Sequence, residues 1–155
     1  MIIHEDELEK RLGLFQKALR DRGIKLTHQR LEIFREIASR IDHPDAEAVY
    51  RSVKTRLPTV SLDTVYRTLH LLMDLGLIGT LGDRFTSTRF DPNLKPHHHF
   101  LCVRCGLARD FESSELDNLD LPEAAEGFGK VIDNNVVVRG ICNDCMRAAE
   151  TVKPR

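Results

Sequence analysis

Every cysteine in the chain belongs to one of two pairs, Cys102-Val103-Arg104-Cys105 and Cys142-Asn143-Asp144-Cys145, and the first closely follows Pro96-His97-His98-His99. Two thiols three positions apart can close on one ion, so the pairs together offer the four soft ligands of a tetrahedral zinc site. Zn(II) in that role is structural, stapling chain segments separated by 36 intervening residues and contributing folding free energy outright. A redox disulfide is the other chemistry open to C-x-x-C, but it normally accompanies a βαβ pattern not found here; inert thiols are the third reading. The histidines exceed what a closed four-cysteine site can use, which points to a second metal with a different task.

Positioning these groups requires a frame. Leu8, Leu12, Phe15 and Leu19 recur at helical spacing up to Gly23, a helix stop. Thr27 is placed to cap a second helix carrying Leu31, Ile33, Phe34, Ile37 and Ala38. His43-Pro44-Asp45 breaks the chain, and Ala46, Val49, Tyr50, Val53 and Leu57 mark a third helix ending before Pro58. Ser61 caps a fourth, with Asp63 in its first turn and Val65, Leu69, Leu72 and Met73 as its buried stripe, ending at Gly76. Two strand-like runs, Leu77–Leu81 and Arg84–Phe90, flank the turn signal Gly82-Asp83. Helices followed by a hairpin is the order of a winged helix-turn-helix. On the fourth helix Thr64, Tyr66, Arg67, Thr68 and His70, behind Ser61, gather groups able to meet base edges and phosphates; a solvated helix face is the plainer alternative.

Asp91 to Pro96, with two prolines and no periodicity, reads as a linker. Beyond it the texture changes to strands, expected at His99–Val103, Leu107–Phe111 and Val131–Val138. A helix weakened by Pro122 is expected over Leu116–Ala125, and a short helix after Met146. The domain division is thus 1–90, a hinge at 91–96, and 97–155. Net charge is −1 and neither half is a basic tail, so charge neither supports nor excludes DNA, which needs only a local basic face. No apolar run approaches the roughly 20 residues of a membrane span, and the acidic start Glu5-Asp6-Glu7 lacks a secretory core. The expected location is the cytoplasm, with no membrane partner, where thiol pairs favour metal over disulfide.

Thr27-His28-Gln29-Arg30, His43-Pro44, Ser61 to Leu69, Arg89-Phe90-Asp91 and His97 to Gly106 together resemble the ferric uptake regulator family over about residues 15 to 147. The resemblance implies an α+β protein: an N-terminal winged-helix DNA-binding domain followed by a small α/β dimerisation domain. It further implies a homodimeric, metal-responsive repressor of double-stranded operator DNA. Carried over by position, the regulatory ligands are His43, Asp91, His97, His99 and Asp110. Three imidazoles and two carboxylates suit Fe(II) or Mn(II), with Zn(II) a possible substitute, and hold no thiolate to trap zinc. Each has a plainer reading: His43 as a turn residue, Asp91 as a turn cap, Asp110 as an exposed strand carboxylate. His98 alternates away from its neighbours in an extended segment and stays outside the set.

Iron sensors of the family usually carry Glu at the Asp110 position, whereas peroxide sensors carry Asp, so the resemblance leans to the peroxide branch. Arg67 is common in iron regulators, so an iron-uptake regulator is the nearest alternative and a zinc-uptake regulator the next. A further family metal site is degraded at His98, Phe111 and Asp133. Two rivals come from other classes. A zinc hydrolase needs an open coordination position and a general base, and no H-E-x-x-H motif is present; a zinc-ribbon scaffold leaves His43, Asp91 and Asp110 unexplained. An enzyme is therefore not expected.

Overall fold

The computed structural model describes residues 3–82 and 87–151. The chain divides into two compact units, Met1–Leu94 and Lys95–Arg155.

The first unit is built on four helices, α1 (Glu5–Asp21), α2 (His28–Ser39), α3 (Ala46–Arg56) and α4 (Leu62–Asp74). Their ends follow local chemistry. Thr27, Asp45 and Ser61 each accept a backbone N–H three residues on, from Arg30, Ala48 and Thr64, satisfying donors the first turn cannot. Gly23 and Gly76 close α1 and α4 at φ +63° and +68°, the left-handed backbone that glycine adopts without a Cβ clash. One apolar stripe from each helix is buried together, including Phe15, Phe34, Ile37, Val49, Val53, Val65, Leu69 and Leu72. Phe15 stacks on Phe34 at 4.4 Å between ring centroids. Arg56 joins α3 to α2 by donating to Glu36 at 2.8 Å.

After α4 come β1 (Gly79–Leu81) and β2 (Arg89–Asp91), paired antiparallel. The first strand starts later than Leu77, because Leu77 is spent closing α4 through an N–H bond to Leu72 O at 2.9 Å. Asp83 of the expected Gly82-Asp83 turn and the first three residues of the expected second strand, Arg84 to Thr86, lie outside the described residues. Four helices and this hairpin form the winged helix-turn-helix.

The second unit holds a three-stranded sheet in the order β4-β3-β5, from β3 (His98–Cys102), β4 (Ala108–Phe111) and β5 (Val137–Gly140). Strands β3 and β4 are antiparallel with His99 opposite Asp110; β3 and β5 are parallel with Cys102 opposite Gly140. Three expectations need correction. The first strand begins at His98, because His98 itself pairs with Phe111, and it ends at Cys102, where the chain turns. The strand expected over Val131–Val138 is confined to Val137–Gly140; Asn134 and Asn135 instead turn their side chains toward Leu116 O and His99. The single helix expected over Leu116–Ala125 is two short ones, α5 (Ser114–Asp117) and α6 (Glu123–Glu126), because Pro122 has no N–H to continue a helix and stands as the N-cap of α6. The chain ends in α7 (Asn143–Thr151).

The buried apolar side chains are unevenly shared. The continuous core lies in the first unit, whereas the second buries only Cys102, Ala108 and Cys142 among its described apolar residues. Phe128 and Ile132 are each 92% exposed. A unit with so little core needs another source of stability.

Candidate metal centres and the exposed face of the fourth helix

Parallel pairing of β3 with β5 sets their C-terminal ends side by side, and each end runs straight into a C-x-x-C pair. Cys102 is the last residue of β3, and the turn to Cys105 closes by a Gly106 N–H bond to Cys102 O at 3.0 Å, with Gly106 at φ +74°. Cys142 follows β5, and Cys145 lies in the first turn of α7. The four sulfurs all lie within 4.8 Å of one another, and Cys105 Sγ is 3.6 Å from Cys142 Sγ. A tetrahedral ion with bonds of about 2.3 Å needs sulfurs about 3.8 Å apart, so the set fits zinc. Backbone N–H groups of Cys105 and Cys142 donate to the Cys102 sulfur and bring its pKa down to about 6. The Cys145 thiol donates to the Cys105 and Cys142 sulfurs, which holds its proton on and pushes its pKa up to about 12. The chelate is therefore partly prepared, since one of its four sulfurs is already a thiolate at neutral pH. Arg104 and Asp144, within the pairs, turn elsewhere, Arg104 to Cys145 O and Asp144 to Arg147.

In the same unit His97, His99 and Asp110 converge. His97 Nε2 and His99 Nε2 are 3.0 Å apart, and Asp110 lies 3.8 Å from the first and 3.6 Å from the second. The carbonyl of Lys95, 2.6 Å from His97 Nδ1, can only accept, so Nδ1 carries the proton and the Nε2 lone pair faces inward. Asn135 Oδ1 stands 3.5 Å from His99 Nδ1 and favours the same tautomer. Two inward lone pairs at 3.0 Å repel unless a cation lies between them, and that spacing is about what two adjacent imidazoles on one first-row ion at 2.1 Å require. His98 takes the opposite tautomer. Its Nδ1 accepts from Val136 N–H at 3.3 Å, and its buried Nε2 lies 3.2 Å from Asp117 Oδ1 without hydrogen-bond geometry.

The first unit holds a pair of its own. His43, 1% exposed, has Nε2 at 3.6 Å from Asp91 Oδ2. Asp91 also performs the turn role, its Oδ1 accepting Asn93 N–H at 2.8 Å, so the plain and the ligand readings use different oxygens. Sequence reasoning missed the groups that orient these ligands. Lys95 acts through its carbonyl, which no side-chain pattern reveals, and Asn135 sits in a segment expected to be strand.

On α4, Tyr66, Arg67 and His70 are exposed on one face. Ser61 and Thr64 are spent on the cap, with Ser61 Oγ 2.9 Å from Thr64 Oγ1 and accepting Thr64 N–H at 3.1 Å. Arg67 Nε pairs with Asp63 at 2.9 Å, an exposed pair worth about 0–1 kcal/mol and easily exchanged for another anion. Thr68 does not join this face; it is buried, its hydroxyl donating to Thr64 O at 2.8 Å.

A winged helix carried on one chain with a four-cysteine cluster and a His/Asp set defines a metal-dependent transcription regulator. Residues 21–138 match the ferric uptake regulator family, and the chain belongs to that family, whose members are transcription regulators and not enzymes. Among its relatives, the peroxide-responsive repressor PerR of Staphylococcus epidermidis is 31% identical over 142 residues, covering 91% of each chain. The repressor of the same name from Staphylococcus aureus is 32% identical over 142 residues, covering 91% of this chain and 93% of its own. The fold is that of the Helicobacter pylori ferric uptake regulator, with a TM-score of 0.73 at 24% identity over 90% of this chain and 93% of that one. A zinc-bound manganese uptake regulator is similar at a TM-score of 0.65 and 28% identity, over 83% of this chain and 98% of its own. Among the described residues no helix is long and apolar enough to cross a membrane.

Proposed function

We propose that the chain is a homodimeric repressor that reads double-stranded operator DNA through α4 and senses peroxide through Fe(II) or Mn(II), with Zn(II) held structurally by Cys102, Cys105, Cys142 and Cys145. The proposed regulatory ligands are His43 and Asp91 from the first unit and His97, His99 and Asp110 from the second; Zn(II) is a possible substitute there. The observation that carries this reading is the inward-facing pair His97–His99 beside Asp110, a nitrogen and oxygen donor set kept apart from the thiolates. The peroxide branch is supported by aspartate at position 110 and by relatives named as peroxide-responsive.

Bound Fe(II) would activate peroxide beside the imidazoles; an imidazole carbon would take up one peroxide oxygen, losing two electrons, and the other oxygen would leave as water. The chain's own residues do the rest. Asp91 and Asp110 bring negative charge to the site, and His43 and His97 are the rings proposed to take up oxygen. An oxidised ring is a poorer ligand, and ligands drawn from two units make the operator-binding arrangement depend on occupancy, to the extent that metal prefers that arrangement. Ser61 and Thr64 order the start of α4, while Tyr66, Arg67 and His70 are the proposed DNA contacts.

The test is anaerobic Fe(II) loading, brief H₂O₂ exposure, peptide mass spectrometry and operator binding on one sample. One added oxygen on His43 or His97 with loss of DNA binding is the expected result. Iron-dependent DNA binding with unmodified histidines would favour the iron-uptake reading, to which Arg67 already points.

A further inference from the structure

Among the described residues, His43 is the one non-glycine residue at positive φ, at +52°. That left-handed backbone is unfavourable for a residue with a Cβ. His43 also precedes Pro44, and the proline ring biases its predecessor toward extended backbone. A conformation disfavoured twice persists only where its surroundings over-determine it.

Those surroundings centre on Arg89. Its Nε–H donates to His43 O at 2.7 Å and its Nη2–H donates to Asp42 O at 2.9 Å. One planar guanidinium thus holds two consecutive carbonyls, a fork that a lysine ammonium cannot reproduce. The neighbouring Phe90 N–H continues the clamp onto Pro44 O at 2.9 Å, and Arg40 Nε fixes the Asp42 carboxylate at 2.7 Å. Arg89 and Asp91 are alternate residues of β2. The strand that supplies the carboxylate therefore also holds the backbone of the imidazole facing it.

We infer that Arg89 is a positioning residue for the regulatory metal: it holds His43 in its strained backbone so that the imidazole is already aimed beside Asp91 when metal arrives. The inference rests on the regulatory-site reading above. Outer groups that orient a metal ligand typically change affinity about 10- to 100-fold when removed, and Arg89→Ala is expected within that range.

The experiment titrates zinc-loaded full-length protein anaerobically with Mn(II), following free Mn(II) by electron paramagnetic resonance. Wild type, Arg89→Ala, Arg89→Lys, His43→Ala and the His43→Ala/Arg89→Ala double variant are compared. Arg89→Ala should bind Mn(II) about 10- to 100-fold more weakly, Arg89→Lys should fall between it and wild type, and all variants should retain zinc and circular dichroism. In the His43→Ala background, loss of Arg89 should have no further effect, since a residue acting only through His43 is silent once the imidazole is gone. Equal weakening by Arg89→Ala in both backgrounds would overturn the inference, as it would mark a general folding role. So would unchanged Mn(II) affinity in Arg89→Ala while His43→Ala weakens it. If His43→Ala itself leaves Mn(II) binding intact, the regulatory-site reading fails. Should Arg89→Ala not fold, Arg89→Lys and its double variant with His43→Ala carry the same comparison.

Discussion

Replacing Cys102 with Ser should unfold the second unit while leaving the first standing. The second unit buries only Cys102, Ala108 and Cys142 among its described apolar residues, so apolar burial within one chain cannot be its main support, and the metal and the partner of the proposed homodimer must share the load. Structural zinc in small domains contributes about 10–16 kcal/mol at neutral pH. An even share among four thiolates is about 2.5–4 kcal/mol each, or a loss of about 70- to 900-fold in zinc affinity. Serine also places a hydroxyl in a buried position where the Cys102 sulfur now accepts Cys142 N–H at 3.3 Å; it can keep that bond but is a poor replacement for a zinc-bound thiolate. The assay pairs zinc content after mild chelation with hydrogen exchange. Zinc should be lost and amides of β3 and β5 should exchange freely, while amides of α2 and α4, whose side chains pack into the core of the first unit, stay protected. One retained zinc per protomer with native protection in β3 would refute the reasoning and return the cysteines to a passive role.

Two further outcomes are expected. Arg67→Ala should weaken binding to operator DNA, with a salt dependence shallower by about one unit if the guanidinium meets a phosphate, and without change in metal content; unchanged affinity in a fluorescence anisotropy titration would remove α4 as the reading element. The number of protons released on zinc binding should rise as pH falls through about 6. Above that value Cys102 is already a thiolate, and below it zinc must displace its proton, whereas Cys145, pushed up to about 12, gives up a proton at every pH of interest. Calorimetry in buffers of different ionisation enthalpy measures that count, and a flat proton count from pH 7 to 5 would contradict it.

Legibility in the sequence followed physical scale. The four helices were readable because each must bury one stripe, and Phe15, Phe34, Val53 and Leu69 repeat at helical spacing regardless of partner. Their caps were readable because Thr27 and Ser61 act within three residues. The cysteine pairs were readable because chelation by C-x-x-C is itself local. Val131–Val138 misled because an apolar run names no partner. The short β3 offers β5 only His99 to Cys102 as pairing positions, and Ile132 is left almost fully exposed. Over Leu116–Ala125 the apolar spacing suits a helix, but Pro122 lacks the N–H a continuous helix needs, and two short helices stand there instead.

By itself the sequence determined the helical half, the order of elements and the donor types, and through its motifs the family. Only the tertiary structure decided which donors meet within each unit and how they are aimed. The tautomer of His97 is set by a backbone carbonyl, that of His98 by Val136 N–H, and the backbone of His43 by an arginine 46 positions away. Such bonds depend on where folded backbone atoms lie, and a carbonyl or an N–H is the same in every residue that could have supplied it.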